Sequence, residues 1–320
     1  PRRTGAPPYS TAEVIVIVGG LLIVPPAMAL GQLAVAQVAY LVVLGTLAQF
    51  ALRRVRRAEP AKIPPSFVML PIGLGGAAVG AALILAFSLG APIALFETGR
   101  KLVEEGLLLG LVLAIAPMLT PMLLHGKPQP PSPPARSRRL RRWYLFGCAL
   151  LLASFALEPF SMRLGPLVRG LISAAILWPN IIGAPTASGV HRQLYRLALF
   201  FVPLGELLAG ARPAWRLPFL HLTFVGGLSL LIFAVSLHVV YLHTGRERLA
   251  HARSWPVILI GALTVAAALA RACAEHLADH YTDALALASA LWLTGALVWG
   301  VSIFLMILRR PGALDAAPAK

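Results

Sequence analysis

Long apolar runs, broken only by short clusters rich in arginine, proline and glycine, recur along the whole chain. A helix needs about 20 apolar residues to cross the hydrocarbon core of a bilayer. Ten stretches approach or exceed that length: Glu13–Leu30, Gln32–Leu52, Phe67–Leu89, Leu107–Leu124, Trp143–Leu157, Leu167–Ile182, Leu194–Leu208, Leu217–Leu242, Trp255–Ala274 and Asp283–Ile307. Lipid offers the backbone no hydrogen-bond partner, so each run must satisfy its own N–H and C=O groups as a helix. The alternating pattern of a membrane barrel is absent. The expected fold class is therefore all-α, a polytopic transmembrane helix bundle of about ten spans.

Composition supports this reading. Of the 320 residues, 58% are hydrophobic and 12% charged, and the mean hydropathy is +0.79. Soluble globular chains carry about 25% charged residues. An ordinary soluble enzyme and a disordered chain are both excluded. The net charge of +16 does not point to nucleic acid, because the basic residues sit between apolar runs rather than on one face of a domain. Cys148 and Cys273 both lie inside apolar runs, with no paired metal spacing and no disulfide pattern.

Loop charge sets the expected orientation. With the N-terminus in the cytoplasm, 21 of the 28 basic residues fall on the cytoplasmic side, in the clusters Arg2–Arg3, Arg53–Lys62, Lys127–Arg142, Arg192–Arg196, Arg246–Arg253 and Arg309–Lys320. The other seven are Arg100, Lys101, Arg163, Arg169, Arg212, Arg216 and Arg271. This bias places both termini in the cytoplasm and supports an even number of spans. The basic, proline-rich loop at 127–142 separates an expected four-helix part (1–126) from an expected six-helix part (143–320) of one membrane domain. Trp143, Trp178, Trp215 and Trp255 fall at span ends, as an interfacial aromatic belt requires.

Polar side chains inside apolar spans are costly and mark candidate sites. The eighth span carries His221 near one end and His238 and His243 near the other. On an ideal α-helix, 22 residues place His221 and His243 about 40° apart around the axis and about 33 Å apart along it. The two share a face but not one metal ion. His238 lies about 140° around the helix from His243, so that pair does not share a metal either. Neutral imidazole ligates haem iron and copper. It also sits at helix ends with no ligand, and both readings stand for these three residues. Gly226 and Gly227 admit either a flat ring or another helix.

Four other features bear on function. His276 and His280 stand at i,i+4 in RACAEHLADHYTD, where a helix would present both to one divalent metal. A solvated acidic turn is the competing reading. Glu158, Glu206, Arg169 and Arg271 lie near span ends, where snorkelling to the interface competes with ion pairing. Glu104 and Glu105 are expected at the N-terminus of the fourth span, with Pro117 and Pro121 kinking it. His125, His191 and His251 lie among basic loop residues and receive no role. No Walker loop, GxSxG elbow or HExxH motif occurs, so no hydrolase or ATPase chemistry is encoded.

The stretch from His221 to Leu249, with H-L-T near its start and L-H-T-G-R at its end, resembles the NnrS family. Members are polytopic bacterial membrane proteins linked to nitric oxide and nitrosative stress, described as containing haem and copper. The resemblance implies a haem-binding, multi-pass protein of the bacterial inner membrane, without a defined catalytic turnover. It implies cofactor-binding roles for His221 and His243, with Thr223, Gly226, Thr244, Gly245 and Arg246 beside them. His238 joins them as a candidate from its position in the same span. The opening PRRTGAPP resembles the segment after the family's second helix, so a copy lacking the N-terminal helix pair is expected. The alternative function is a small-molecule membrane transporter or channel, suggested by the fourth span's prolines and by Glu206. Its partner in either case is the lipid bilayer, and no nucleic acid.

Overall fold

The computed structural model describes residues 9–57, 63–126, 133–181 and 187–308. Arg2, Arg3, Lys62, Lys127, Arg309, Arg310 and Lys320 of the basic clusters, and the opening PRRTGAPP, lie outside the described residues. The described residues form helices α1 (Thr11–Ala29), α2 (Leu33–Arg57), α3 (Leu70–Ser88), α4 (Ile93–Lys101), α5 (Leu107–His125), α6 (Pro134–Leu157), α7 (Leu164–Ile181) and α8 (Val190–Ala211). The series continues with α9 (Arg216–His221), α10 (Leu230–His243), α11 (Trp255–Cys273) and α12 (Tyr281–Leu308). No strand occurs among these residues. Among the described residues nine helical rods are long and apolar enough to cross a membrane, and α7 supplies a shorter apolar helix where the sixth span was expected. The all-α polytopic bundle is what the apolar runs require.

Two rods differ from their expected form. The fourth is a single rod over Ile93–Leu124. It joins α4 to α5 through a π-helical turn at Leu102–Gly106 and runs on through Pro117 and Pro121. Glu104 and Glu105 therefore sit mid-rod rather than at a helix N-terminus, and Glu105 is buried. The cause is that FETGRK, polar enough to read as a loop, lies within helix and packs through Gly99. The fifth span begins at Pro134, so Arg136, Arg138, Arg139, Arg141 and Arg142 ride on the first turns of α6.

The chain forms two compact units, Pro1–Met118 with Pro130–Phe155, and Leu119–Gln129 with Ala156–Lys320. In the first, α1 and α2 form a hairpin that turns at Gly31, whose φ of 71° favours glycine. Ser10 and Glu13 make a capping box at the start of α1, and Glu13 also pairs with Arg53 of α2. Small residues let α3 meet the fourth rod closely. A side chain on Gly80 would strike the Gly99 carbonyl, and one on Gly110 would strike the backbone of Gly73. Ser66 donates to the Ala114 carbonyl at 2.6 Å.

In the second unit α8 is the central pillar, with 12 of its 22 residues buried. The helices α7 and α8 interlock through Gly170 against Leu207 and Gly210 against Leu167. The rod Pro213–His243 returns along α8, and it is not one regular helix. A 3₁₀ turn (Pro213–Trp215) leads into α9, and a π-helical stretch at Leu222–Ser229 separates α9 from α10. Helix α12 runs parallel to α10, joined at heptad spacing: Trp292 Nε1 donates to Ser229 Oγ at 3.1 Å, and Trp299 Nε1 to Ser236 Oγ at 2.8 Å. Trp143, Trp178 and Trp255 are all exposed, as belt residues must be.

Candidate functional site

The π-helical stretch matters first, because it changes where the histidines point. Turns bonded i to i+5 wind more slowly than α turns and often mark functional positions. Eight residues of them lie between His221 and His243, so the shared face expected from regular α geometry does not hold.

His221 is half-buried, and its Nδ1 donates to the Leu217 carbonyl at 2.8 Å. This fixes the tautomer and leaves the Nε2 lone pair unengaged. Arg271 of α11 stands near enough for its charge to act on that ring. Arg271 is 8% exposed, and its Nη1 has no hydrogen-bond partner. His243 makes the same backbone contact, Nδ1 to the Val239 carbonyl at 2.8 Å, but is exposed. The residues after it form a helix cap. Gly245 has φ of 69°, and the Arg246 N–H returns to the Tyr241 carbonyl at 2.9 Å, which is a Schellman turn. The T-G-R of the signature thus has a local backbone reason, with Arg246 as the closing donor.

His238 is buried and paired with a residue that sequence reasoning left without a role. His191 Nε2 and His238 Nδ1 are 3.2 Å apart, and the Tyr241 ring meets His191 edge-on. His191 sits at the start of α8, 47 positions away in sequence. Only its depth, at the same basic end as His238, hinted at a meeting. A hydrogen bond between one ring's N–H and the other's lone pair accounts for this separation.

At the opposite end of α8 lies a buried ion cluster. Arg169 donates from Nη2 to Glu158 Oε2 at 2.7 Å and from Nε to Glu206 Oε2 at 3.1 Å. Arg216 Nη2 adds a contact to Glu158 Oε1 at 3.0 Å. Two guanidiniums meet two carboxylates, and Arg169, Glu158 and Glu206 are all 2% exposed or less. Ion pairing, not snorkelling, accounts for these three residues. Arg216 is the member that the sequence reading did not connect. Glu206, which motivated a transporter reading, is one partner in this cluster.

Backbone geometry places the remaining candidates. His276 and His280 each end a separate 3₁₀ turn, and Leu277 between them has non-helical φ and ψ of −105° and 57°. The one-face geometry of a continuous helix is therefore broken. His276 lies edge-on to Trp215, and His280 Nδ1 is 3.4 Å from Asp283. Among the described residues no three His, Cys, Asp or Glu side chains converge on a metal position. Gly226 and Gly227 admit a helix: side chains there would meet the Phe201 ring at 3.0 Å and Val202 at 2.8 Å.

The family model described as NnrS protein matches residues 1–311. The chain belongs to the NnrS family. No curated protein and no solved structure matches it. Within the family match, His221, His243 and Arg246 hold distinct places: a half-buried imidazole beside an arginine, an exposed imidazole, and the closing residue of a cap.

Proposed function

We propose that this NnrS-family membrane protein binds haem and acts in resistance to nitric oxide and nitrosative stress, in the bacterial inner membrane with its basic loops inside. The reading is supported by family membership and carried by one observation, the His221 ring. Metal-ligating histidines commonly donate their second ring N–H to a backbone carbonyl, which orients the ring and raises its basicity. His221 does this through Leu217 and keeps Nε2 for an iron. Arg271, buried with an unpartnered Nη1, is suited to an acidic group of the porphyrin edge. Bound haem supplies an iron centre that takes a diatomic ligand or carries one electron. The chain's contribution is to hold the ring nitrogen in its tautomer and to answer a carboxylate with Arg271. Ligand binding or electron transfer, rather than a defined turnover, is the proposed mode. Copper, the second metal implied by the resemblance, is given no residues.

The test is the visible spectrum of the full chain purified in detergent from haem-replete cells. A Soret band in the wild type, lost in His221→Ala and kept in His276→Ala, is expected. A folded wild-type protein with no Soret band overturns haem binding. A band that survives His221→Ala unchanged overturns the role of that residue. Metal analysis of the same sample reads copper.

A further inference from the structure

The N-terminus of α8 concentrates positive charge, and among the described residues no carboxylate answers it. The cap residue Gly189 offers no side chain, and no acidic residue lies in the first turn. A helix start carries a partial positive charge and leaves backbone donors without intrahelical acceptors. Acidic residues favour this position, yet here the third residue of the helix is Arg192. Its side chain is 3% exposed, and both Nε and Nη1 lack any hydrogen-bond partner. Among the described residues it pairs with no carboxylate. An unpaired guanidinium at a helix N-terminus is doubly unfavourable, and a bound anion relieves that cost.

The groups around it suit one. Arg192 directly follows His191 at the start of α8, and His191 is the ring that meets His238 at 3.2 Å. In the neutral pair one nitrogen donates to the other, so of the two outer ring nitrogens one is a donor and the other an acceptor whichever tautomers are present. The donor can turn to a bound anion. Ser188, just before the helix, is held by a hydrogen bond with His251 Nδ1 at 3.1 Å. A fork of guanidinium N–H groups, an imidazole N–H and the partial positive charge of a helix start make a donor set for tetrahedral oxyanions.

We propose that Arg192, His191 and the N-terminus of α8 form a binding site for a phosphate-type oxyanion, whether a lipid headgroup or a free ion. The site is separate from His221, which lies toward the other end of α8.

The full chain is reconstituted in phosphatidylcholine nanodiscs, and its melting midpoint is followed while inorganic phosphate is added. A parallel sample uses discs containing phosphatidylglycerol. A saturable rise with phosphate, about tenfold weaker in affinity or absent in Arg192→Gln and unchanged in Arg248→Gln, assigns the site to a free oxyanion. No response to phosphate, but a higher midpoint in the anionic discs that Arg192→Gln abolishes, assigns it to a lipid phosphate. If Arg192→Gln does not fold, Arg192→Lys replaces it, with a weakened response expected because the fork is lost. A response equal in the wild type and the Arg192 variant overturns the proposal. So does a wild type that responds to neither source.

Discussion

Replacing Arg169 by methionine and Glu206 by leucine, singly and together, tests the reading of the buried ion cluster. Arg169 is fully buried and is shared by Glu158 at 2.7 Å and Glu206 at 3.1 Å, while Arg216 reaches Glu158 at 3.0 Å. Arg169→Met leaves two carboxylates against one guanidinium, and Glu206→Leu leaves two guanidiniums against one carboxylate. Each strands a buried charge, at a cost of about 3–5 kcal/mol. The double variant leaves the Arg216–Glu158 pair neutral and replaces a buried pair by apolar groups of similar size. It should lie within about 2 kcal/mol of the wild type, where independent effects would sum to about 6–10 kcal/mol. At about 2–4 °C per kcal/mol, each single variant lowers the melting midpoint by on the order of 10 °C. Intrinsic fluorescence is a suitable probe, because five of the six tryptophans lie in the unit that holds the cluster. A double variant as unstable as the sum of the singles refutes the shared-charge account.

Three further outcomes are expected. Gly245→Ala forces an L-residue into φ of 69° and should cost about 1–2 kcal/mol, measured by thermal melting, with Gly245→Asn tolerated better. Trp299→Phe and Ser236→Ala each remove the 2.8 Å bond between α12 and α10 and should each cost about 0.6 kcal/mol, with little further loss when combined. A membrane-impermeant maleimide applied to the face opposite the basic loops should label exposed Cys273 and spare Cys148, which is buried and lies 3.7 Å from the Val68 carbonyl; labelling only from the cytoplasmic face reverses the orientation.

The apolar runs located the rods well because a span satisfies its hydrogen bonds within itself. Where they erred, a polar stretch had been taken for loop. FETGRKLVEE continues the fourth rod through a π turn, and the arginine run before Trp143 is the start of α6. Glycine packing at Gly226 was legible as a choice between ring and helix, and only the position of Phe201 decided it. The candidate site was legible in part. His221 and Arg246 were found from the signature, but the former's bond to the Leu217 carbonyl and the latter's capping role were not.

Hydropathy alone determined that this chain is a set of membrane-spanning helices, and local motif determined its family, since both depend on residues close together in sequence. The tertiary structure alone decided that His238 meets His191, that Arg169 gathers two carboxylates, and that Arg192 meets none among the described residues. A helix that is apolar nearly all round does not encode how far it is turned about its own axis. The π-helical stretch in the return rod shifts that rotation where the imidazoles lie, so only the packed neighbours fix which polar groups face one another.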